Sequence, residues 1–262
     1  MEVSFRSTVY GADRVDLDDA AEHYHEASKL SPALAALQTA GITRLSQSPA
    51  LQEATSRPVR RNPQLPAVAL PRPAHPEASL WSTLDRRRSA RDFDGSALRL
   101  RTLATLLDAG YGVRGERRAV PSGGALYPLE LYVASCRVDG LAAGVFHFDP
   151  ERRVLETLRS ADVGDELEDA SALPGLVTAA AAVVFVTAVF WRTRFKYGLR
   201  GYRFALLEAG HAMQNLVLAA TALSTPALPL GGFYDGRVED LLGVDGVDEA
   251  VLYGAVLGGD VA

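Results

Sequence analysis

The chain has 262 residues, 48% hydrophobic and 23% charged, enough to bury a sizeable core in one large domain or two small ones. A net charge of −5 and a pI near 5.6 speak against an electrostatic grip on nucleic acid, which needs a basic face. The single cysteine, Cys136, excludes an intrachain disulfide and any Cys-x-x-Cys metal or redox motif.

The N-terminus carries Glu2, Arg6, Asp13 and Arg14 without an apolar core segment, so no secretory signal is expected. Residues 16–37 read as helix-forming with a break at Pro32. His23 and His25 lie there outside any His-Glu-x-x-His pattern, and read as solvated side chains rather than metal ligands. Residues 56–77 hold six prolines, each lacking an amide donor and disfavouring helix before it, which makes an extended connector. The expected organisation is a helical element with its proline-rich connector over 1–76 and a main domain over 77–262. A short helix at 77–86 leads into "RRSARDF". Leu100, Leu103, Leu106 and Leu107 share one face of a helix over 97–109, with Gly110 as its stop. Residues 129–135 alternate as a strand, with Cys136 a buried strand thiol, and "GVFHFDPERRVLETL" folds back at Asp149-Pro150 as a hairpin. A short acidic helix follows at 162–170. The apolar run 176–191 falls short of the ~18–20 residues of a membrane span and predicts a buried central strand at 181–188. The protein therefore reads as cytoplasmic, with no membrane partner. A helix over 202–223 is apolar on nearly all sides and should be central and buried. "ALPLGGFYDG", a short helix ending in "EDLLGV" and a last strand in "EAVLYGAVLG" complete the chain. Helices interleave with hairpins, which favours an α+β layered domain over a doubly wound one.

Five stretches could carry chemistry. In "DRRRSARDF", Arg87, Ser89 and Arg91 stand at alternate positions and point the same way in extended or turn geometry. Two guanidiniums flanking a hydroxyl suit a phosphate; a solvated basic helix end is the weightier account on spacing alone. The Pro-Ser-Gly-Gly turn before the 129–135 strand, with Ser122, Gly123 and Gly124, lets backbone approach a flat or charged ligand, or is simply a tight loop. It matches neither Gly-x-Gly-x-x-Gly nor a P-loop. Gly231-Gly232 forms a second diglycine, by itself only a turn. His211 and Gln214-Asn215 in the long helix either brace the core or face a ligand. In "RTRFKYGLRGYRF" stands Lys196, one of two lysines in the chain, beside Tyr197 and near Arg192, Arg194, Arg200 and Arg203. Clustered cations favour an ammonium giving up its proton and a phenol losing its own. A Lys-Tyr pair in such a setting can work as a general base, and arginine could not replace the lysine because it keeps its proton. A surface loop with an accidental lysine is the equal alternative.

Taken in order, "RRSARDF", "PSGGALYPLELYV", "FKYGLRGYRFALLEAGHAMQNLVLAATAL" and "LGGFYDG" resemble the nitroreductase superfamily of FMN enzymes. The likeness is to its SagB-type, azoline-oxidising branch, over roughly 77–258 and more faintly over 24–32. The resemblance implies a nitroreductase-like fold with a mixed central sheet wrapped by helices, FMN as cofactor, and a homodimer in which both chains build each flavin site. It places Arg87, Ser89 and Arg91 at the flavin phosphate and ribityl chain, and Ser122, Gly123 and Gly124 against the flavin. Gly231 and Gly232 fall at the isoalloxazine edge, and Lys196-Tyr197 becomes the catalytic pair. The chain ends "LGGDVA" without the basic residues many nitroreductases carry after the last strand, so Arg88 is expected to assist at the phosphate. "ALSTPAL" replaces the more usual turn after the long helix. The implied activity is FMN-dependent oxidation of thiazoline or oxazoline rings in a modified precursor peptide, with a cyclodehydratase complex as the candidate partner. The rival expectations are an NAD(P)H-dependent nitro or quinone reductase and a scaffold subunit of a peptide-modifying complex.

Overall fold

A strand built from alanine, valine and phenylalanine with one threonine is stable only where both its faces are covered. The chain places its longest apolar run in the interior of a sheet, with every residue of that strand buried. The computed structural model describes residues 19–34, 40–55 and 62–260. Seven strands form the sheet: β1 (Ala67–Ala69), β2 (Leu129–Ser135), β3 (Gly144–Asp149), β4 (Val154–Ser160), β5 (Ala182–Val189), β6 (Ala227–Leu230) and β7 (Glu249–Leu257). They lie in the order β1-β4-β3-β2-β5-β7-β6, and each neighbouring pair is antiparallel. Parallel pairing occurs outside this sheet, between Leu98–Arg99 and Val138–Asp139. β1 belongs to the proline-rich connector, which thus pairs with the sheet edge.

Around the sheet run helices α1 (Ala20–Ala27), α2 (Ala40–Gln47), α3 (Pro49–Thr55), α4 (Leu80–Arg86), α5 (Leu100–Tyr111), α6 (Gly164–Ala170), α7 (Trp191–Tyr197), α8 (Leu199–Ala222) and α9 (Asp235–Leu242). The two-residue period of the strands divides the core. Leu129, Leu131, Val133, Val184, Val186 and Ala188 pack with Leu103, Leu106 and Leu107 of α5 and Ala209, Met213 and Leu216 of α8. Tyr132, Ala134, Val183 and Phe185 face the other way, against Leu167 of α6 and Val238, Leu241 and Leu242 of α9. The α+β expectation holds. Among the described residues no helix is long and apolar enough to cross a membrane.

The differences from expectation have local causes. Gly110 does not stop α5, which runs to Tyr111. It sits where α5 crosses α8, and a Cβ there would stand 3.5 Å from the Ala212 carbonyl oxygen. Cys136 is only half-buried, just past the end of β2. The helix at the N-terminus is α1, followed by a 3₁₀ turn at Pro32–Leu34; residues 16–18 and 35–37 of the expected span lie outside the described residues, as do 56–61 of the connector. The basic segment expected as a loop is helical: α7 and α8 meet at Gly198, whose φ of 55° breaks the helix and turns the chain. α8 is not buried all round. Leu206, Leu207, His211 and Gln214 form an exposed stripe opposite its core face.

Candidate functional site

The loop from Val120 to Pro128 is tightly wound because three of its residues, Gly124, Ala125 and Tyr127, have positive φ. The Ser122 hydroxyl accepts the Tyr127 N–H (2.9 Å), and the Ser122 carbonyl accepts the Ala125 N–H (3.1 Å). At Gly124 a Cβ would stand 2.6 Å from Lys196 Nζ and collide with the Tyr197 hydroxyl. The Lys-Tyr pair and the Pro-Ser-Gly-Gly loop therefore meet, with the missing side chain of glycine making the space. At Gly123 a Cβ would lie 2.9 Å from the Phe204 ring. Phe204 in turn stands edge-on to Tyr197, centroids 5.1 Å apart, and Lys196 Nζ lies 5.1 Å from the Tyr197 ring centroid. Both members of the pair are half-buried. A cavity of about 460 Å³ opens beside them, between the end of α1, the start of α2 and the α7–α8 junction.

The cations near Lys196 are less available than their sequence positions suggest. Arg192 is buried and pairs with Glu130 (2.6 Å). Arg200 donates to the Ser28 carbonyl, and Arg203 to the His25 carbonyl and the Ser28 hydroxyl, so both hold the C-terminal end of α1, where cations complement the helix dipole. Arg194 remains exposed. Behind Arg192 runs a buried chain of charge that the sequence reading missed: His147 bonds Glu130 through Nε2 and Glu156 through Nδ1, both at 3.0 Å. An imidazole flanked by two carboxylates donates from both nitrogens only as the cation. Burial opposes that charge, but the two glutamates outweigh it and raise the His147 pKa above its usual range.

Glu208 was also missed. It is the one acidic residue on the otherwise apolar core face of α8, and is 2% exposed. Tyr111 donates to its Oε1 (2.7 Å), while Oε2 lacks an aligned partner. Burial pushes its pKa up to about 7, against the lowering influence of the Ser122 hydroxyl, Tyr111 and the Arg118 charge. Its signal was a lone carboxylate one turn beyond Phe204, on a helix face that otherwise demands apolar groups. Of the residues weighed on that helix, Asn215 donates to the Ala119 carbonyl (3.2 Å) and braces the same loop, whereas His211 and Gln214 point outward.

The other expected residues lie elsewhere in the chain. Arg87 Nη1 reaches Ser89 Oγ at 3.5 Å; Ser89 and Arg91 are exposed, and neither Arg87 nor Arg91 has an ion-pair partner among the described residues. Arg88 turns back to the Asp85 and Arg87 carbonyls (2.9 and 3.0 Å) and so caps α4. The Ala90 N–H donates to the Ala227 carbonyl, and Ala227 is in register, through Leu257, with Ala182, the first residue of β5. Lys196 follows the opposite end of β5. Within one chain the arginine element and the Lys-Tyr pair are thus separated by the length of that strand, about 23 Å. Gly231 and Gly232 follow β6. The Gly232 carbonyl accepts the Ala172 N–H (3.0 Å), and none of the described residues comes within 4 Å of where a Gly231 Cβ would stand.

A seven-stranded antiparallel sheet carries a long helix across one face, a glycine loop against a Lys-Tyr pair at one end and an arginine-rich segment at the other, and these together define the class. The model of the Nitroreductase family matches residues 84–259, and the chain belongs to that family. It is 39% identical over 168 residues to MJ1384 of Methanocaldococcus jannaschii, a protein named as a nitroreductase, covering 63% of this chain and 85% of that one. It is 31% identical over 163 residues to the Escherichia coli microcin B17-processing protein McbC, covering 58% of this chain but only 59% of McbC. Among solved structures, it superposes on a chain of the E. coli microcin synthetase McbBCD complex with truncated pro-MccB17 bound. The TM-score is 0.62 at 24% identity, with 92% of each chain covered, a likeness of fold.

Proposed function

We propose that the protein is an FMN-dependent oxidoreductase that dehydrogenates thiazoline or oxazoline rings in a ribosomally made peptide. The observation that carries this reading is the contact of the Lys196 and Tyr197 head groups with Gly124, which sets a phenol and an ammonium at a glycine surface where a flat ring can lie. The likeness to McbC, a peptide-processing protein, supports a peptide as substrate.

The residues present fit a phosphorylated flavin. Arg87 and Arg91 have no ion-pair partner among the described residues, the Ser89 hydroxyl is exposed, and Gly231 leaves open backbone. Arg87, Ser89 and Arg91 would hold the phosphate. Ser122, Gly123, Gly124, Gly231 and Gly232 would face the ring. Arg88 would add its charge and its remaining donors, its Nη1 being engaged by the end of α4. When bound, FMN supplies the hydride acceptor. Tyr197, assisted by Lys196, acts as the base that takes the ring proton of the azoline. The cavity between α1, α2 and α7 admits the peptide. Because the arginine element stands at the far end of the sheet, a complete site takes it from one copy of the chain and the Lys-Tyr loop from a second. A cyclodehydratase that forms the azolines is the natural companion.

The test is Lys196→Ala together with Tyr197→Phe. Each variant should stay yellow with FMN while losing at least about a hundredfold in azoline oxidation, followed as the loss of two hydrogens by mass spectrometry. Full activity in Lys196→Ala sinks the assignment. Rapid bleaching by NADPH with nitroarene turnover, and no peptide oxidation, would replace it with a nitro or quinone reductase.

A further inference from the structure

The environment of Glu208 gives it a role that the pair at 196–197 does not account for. Its carboxyl lies under the 120–128 loop, fixed on one side by Tyr111, whose hydroxyl donates to Oε1 while accepting the Leu129 N–H. On the other side Oε2 is buried without an aligned donor; the loop above it packs Gly123 on Phe204, one turn before Glu208, and its Ser122 hydroxyl holds the carboxyl's pKa down. Ser122 Oγ already accepts the Tyr127 N–H, which leaves it one lone pair and one hydrogen. With Glu208 ionised, that hydrogen turns to the carboxylate, and Ser122 presents only a lone pair to whatever lies on the loop. With Glu208 protonated, the acid donates to Ser122, and the hydroxyl hydrogen is released toward the ligand.

We propose that Glu208 is a positioning residue that sets, through its own proton, whether Ser122 offers the flavin a hydrogen-bond donor or an acceptor. The inference rests on the flavin reading above. A flavin ring edge carries carbonyl oxygens and accepts hydrogen bonds, so the donor state binds it better. The pKa of about 7 puts the change within the working range. The charged and titratable groups around the carboxyl are few. Tyr111 stays protonated, because burial and the neighbouring Glu208 raise its pKa well above the usual value. The Arg118 guanidinium lies 4.5 Å from the Tyr111 ring centroid and 5.4 Å from that of Tyr127. Lys196 and Tyr197 stand beyond Gly124, and His211 on α8 itself points to solvent.

Two measurements test this on the full chain. In the first, infrared difference spectra of the flavin-free protein follow the protonated carboxyl band that Glu208→Gln removes. The midpoint should fall near 7 and rise in Ser122→Ala, since the hydroxyl lowers it. A midpoint unmoved by Ser122→Ala overturns the coupling. In the second, FMN affinity is titrated across that pH range by flavin fluorescence. Relative to Glu208→Gln, which keeps its shape but cannot titrate and so reports the FMN phosphate's own titration, the wild type should weaken about five- to tenfold as pH rises. The same slope in Glu208→Gln overturns the proposal. Failure of every variant to bind FMN, with the infrared shift intact, instead refutes the flavin reading and the ligand named here with it.

Discussion

Gly124 holds a backbone φ of +67° and lends the volume of its absent Cβ to Lys196 and Tyr197. Gly124→Ala therefore meets two penalties at once, a left-handed conformation and a collision with the Lys196 and Tyr197 head groups. It should cost about 1–3 kcal/mol in thermal or urea unfolding and abolish peptide oxidation. Glu208 and His147 make opposite uses of burial. A carboxyl raised from 4.5 to about 7 is uncomfortable as an anion, so its contribution to stability is present below pH 4.5 and is lost as pH rises to 7. The full loss has a ceiling of about 3 kcal/mol. Glu208→Gln should thus be more stable than the wild type in urea at pH 8, and indistinguishable from it near pH 4. His147 is raised by its two glutamates; its contribution is full below its unfolded pKa and lost as pH climbs through the raised native value. That slope should survive in Glu208→Gln, which separates the two residues.

At the scale of elements, the position of the Lys196-Tyr197 pair depends on how α7 is clamped. On one side Gly201 of α8 packs so closely on α7 that a Cβ would stand 2.6 Å from the Thr193 carbonyl carbon; on the other Gly41 of α2 would meet the Lys196 carbonyl oxygen at 2.6 Å. Arg200 and Arg203 tie α1 to α8 by its terminal carbonyls, and Tyr24 stacks edge-on against Tyr202 with centroids 5.4 Å apart. The N-terminal helices are therefore a wall of the cavity as well as a neighbour of the domain. Gly41→Val pushes α2 off that wall without touching the sheet. It should lower kcat/KM for the peptide about tenfold or more through the misplaced pair, yet leave FMN affinity unchanged, as steady-state kinetics and flavin titration would reveal.

At the scale of the whole molecule, the exposed stripe of α8 is not an isolated feature. Leu206 and Leu207 (57% exposed) stand out on α8, and Leu80, Trp81 (74% exposed) and Leu84 on α4, a helix packed against α8. Large apolar side chains gathered in this way call for a covering surface. In the two-copy site proposed above, a second copy of the chain would supply both the cover and the arginine element that a single chain keeps at the other end of its sheet. Trp81→Glu should therefore sediment as a monomer and lose FMN together with the dimer. A variant that stays dimeric, or a monomer that keeps its flavin, contradicts the two-copy site.

Some of this was legible in the sequence because it depends on neighbours along the chain. The 3.6- and 2-residue periods gave β2, β5, β7 and α8 within a few residues, and the adjacency of Lys196 and Tyr197 is covalent. The glycine turns had to accommodate something close. What tertiary structure alone decided involves partners distant along the chain. Arg192, Arg200 and Arg203 looked like free charge beside Lys196, and are taken up by Glu130 and by the end of α1. Glu208 gains its depth from Tyr111, 97 residues away. Periodicity can say that a residue faces inward, but the free energy of a charge is set by the groups that surround it, and folding determines which those are.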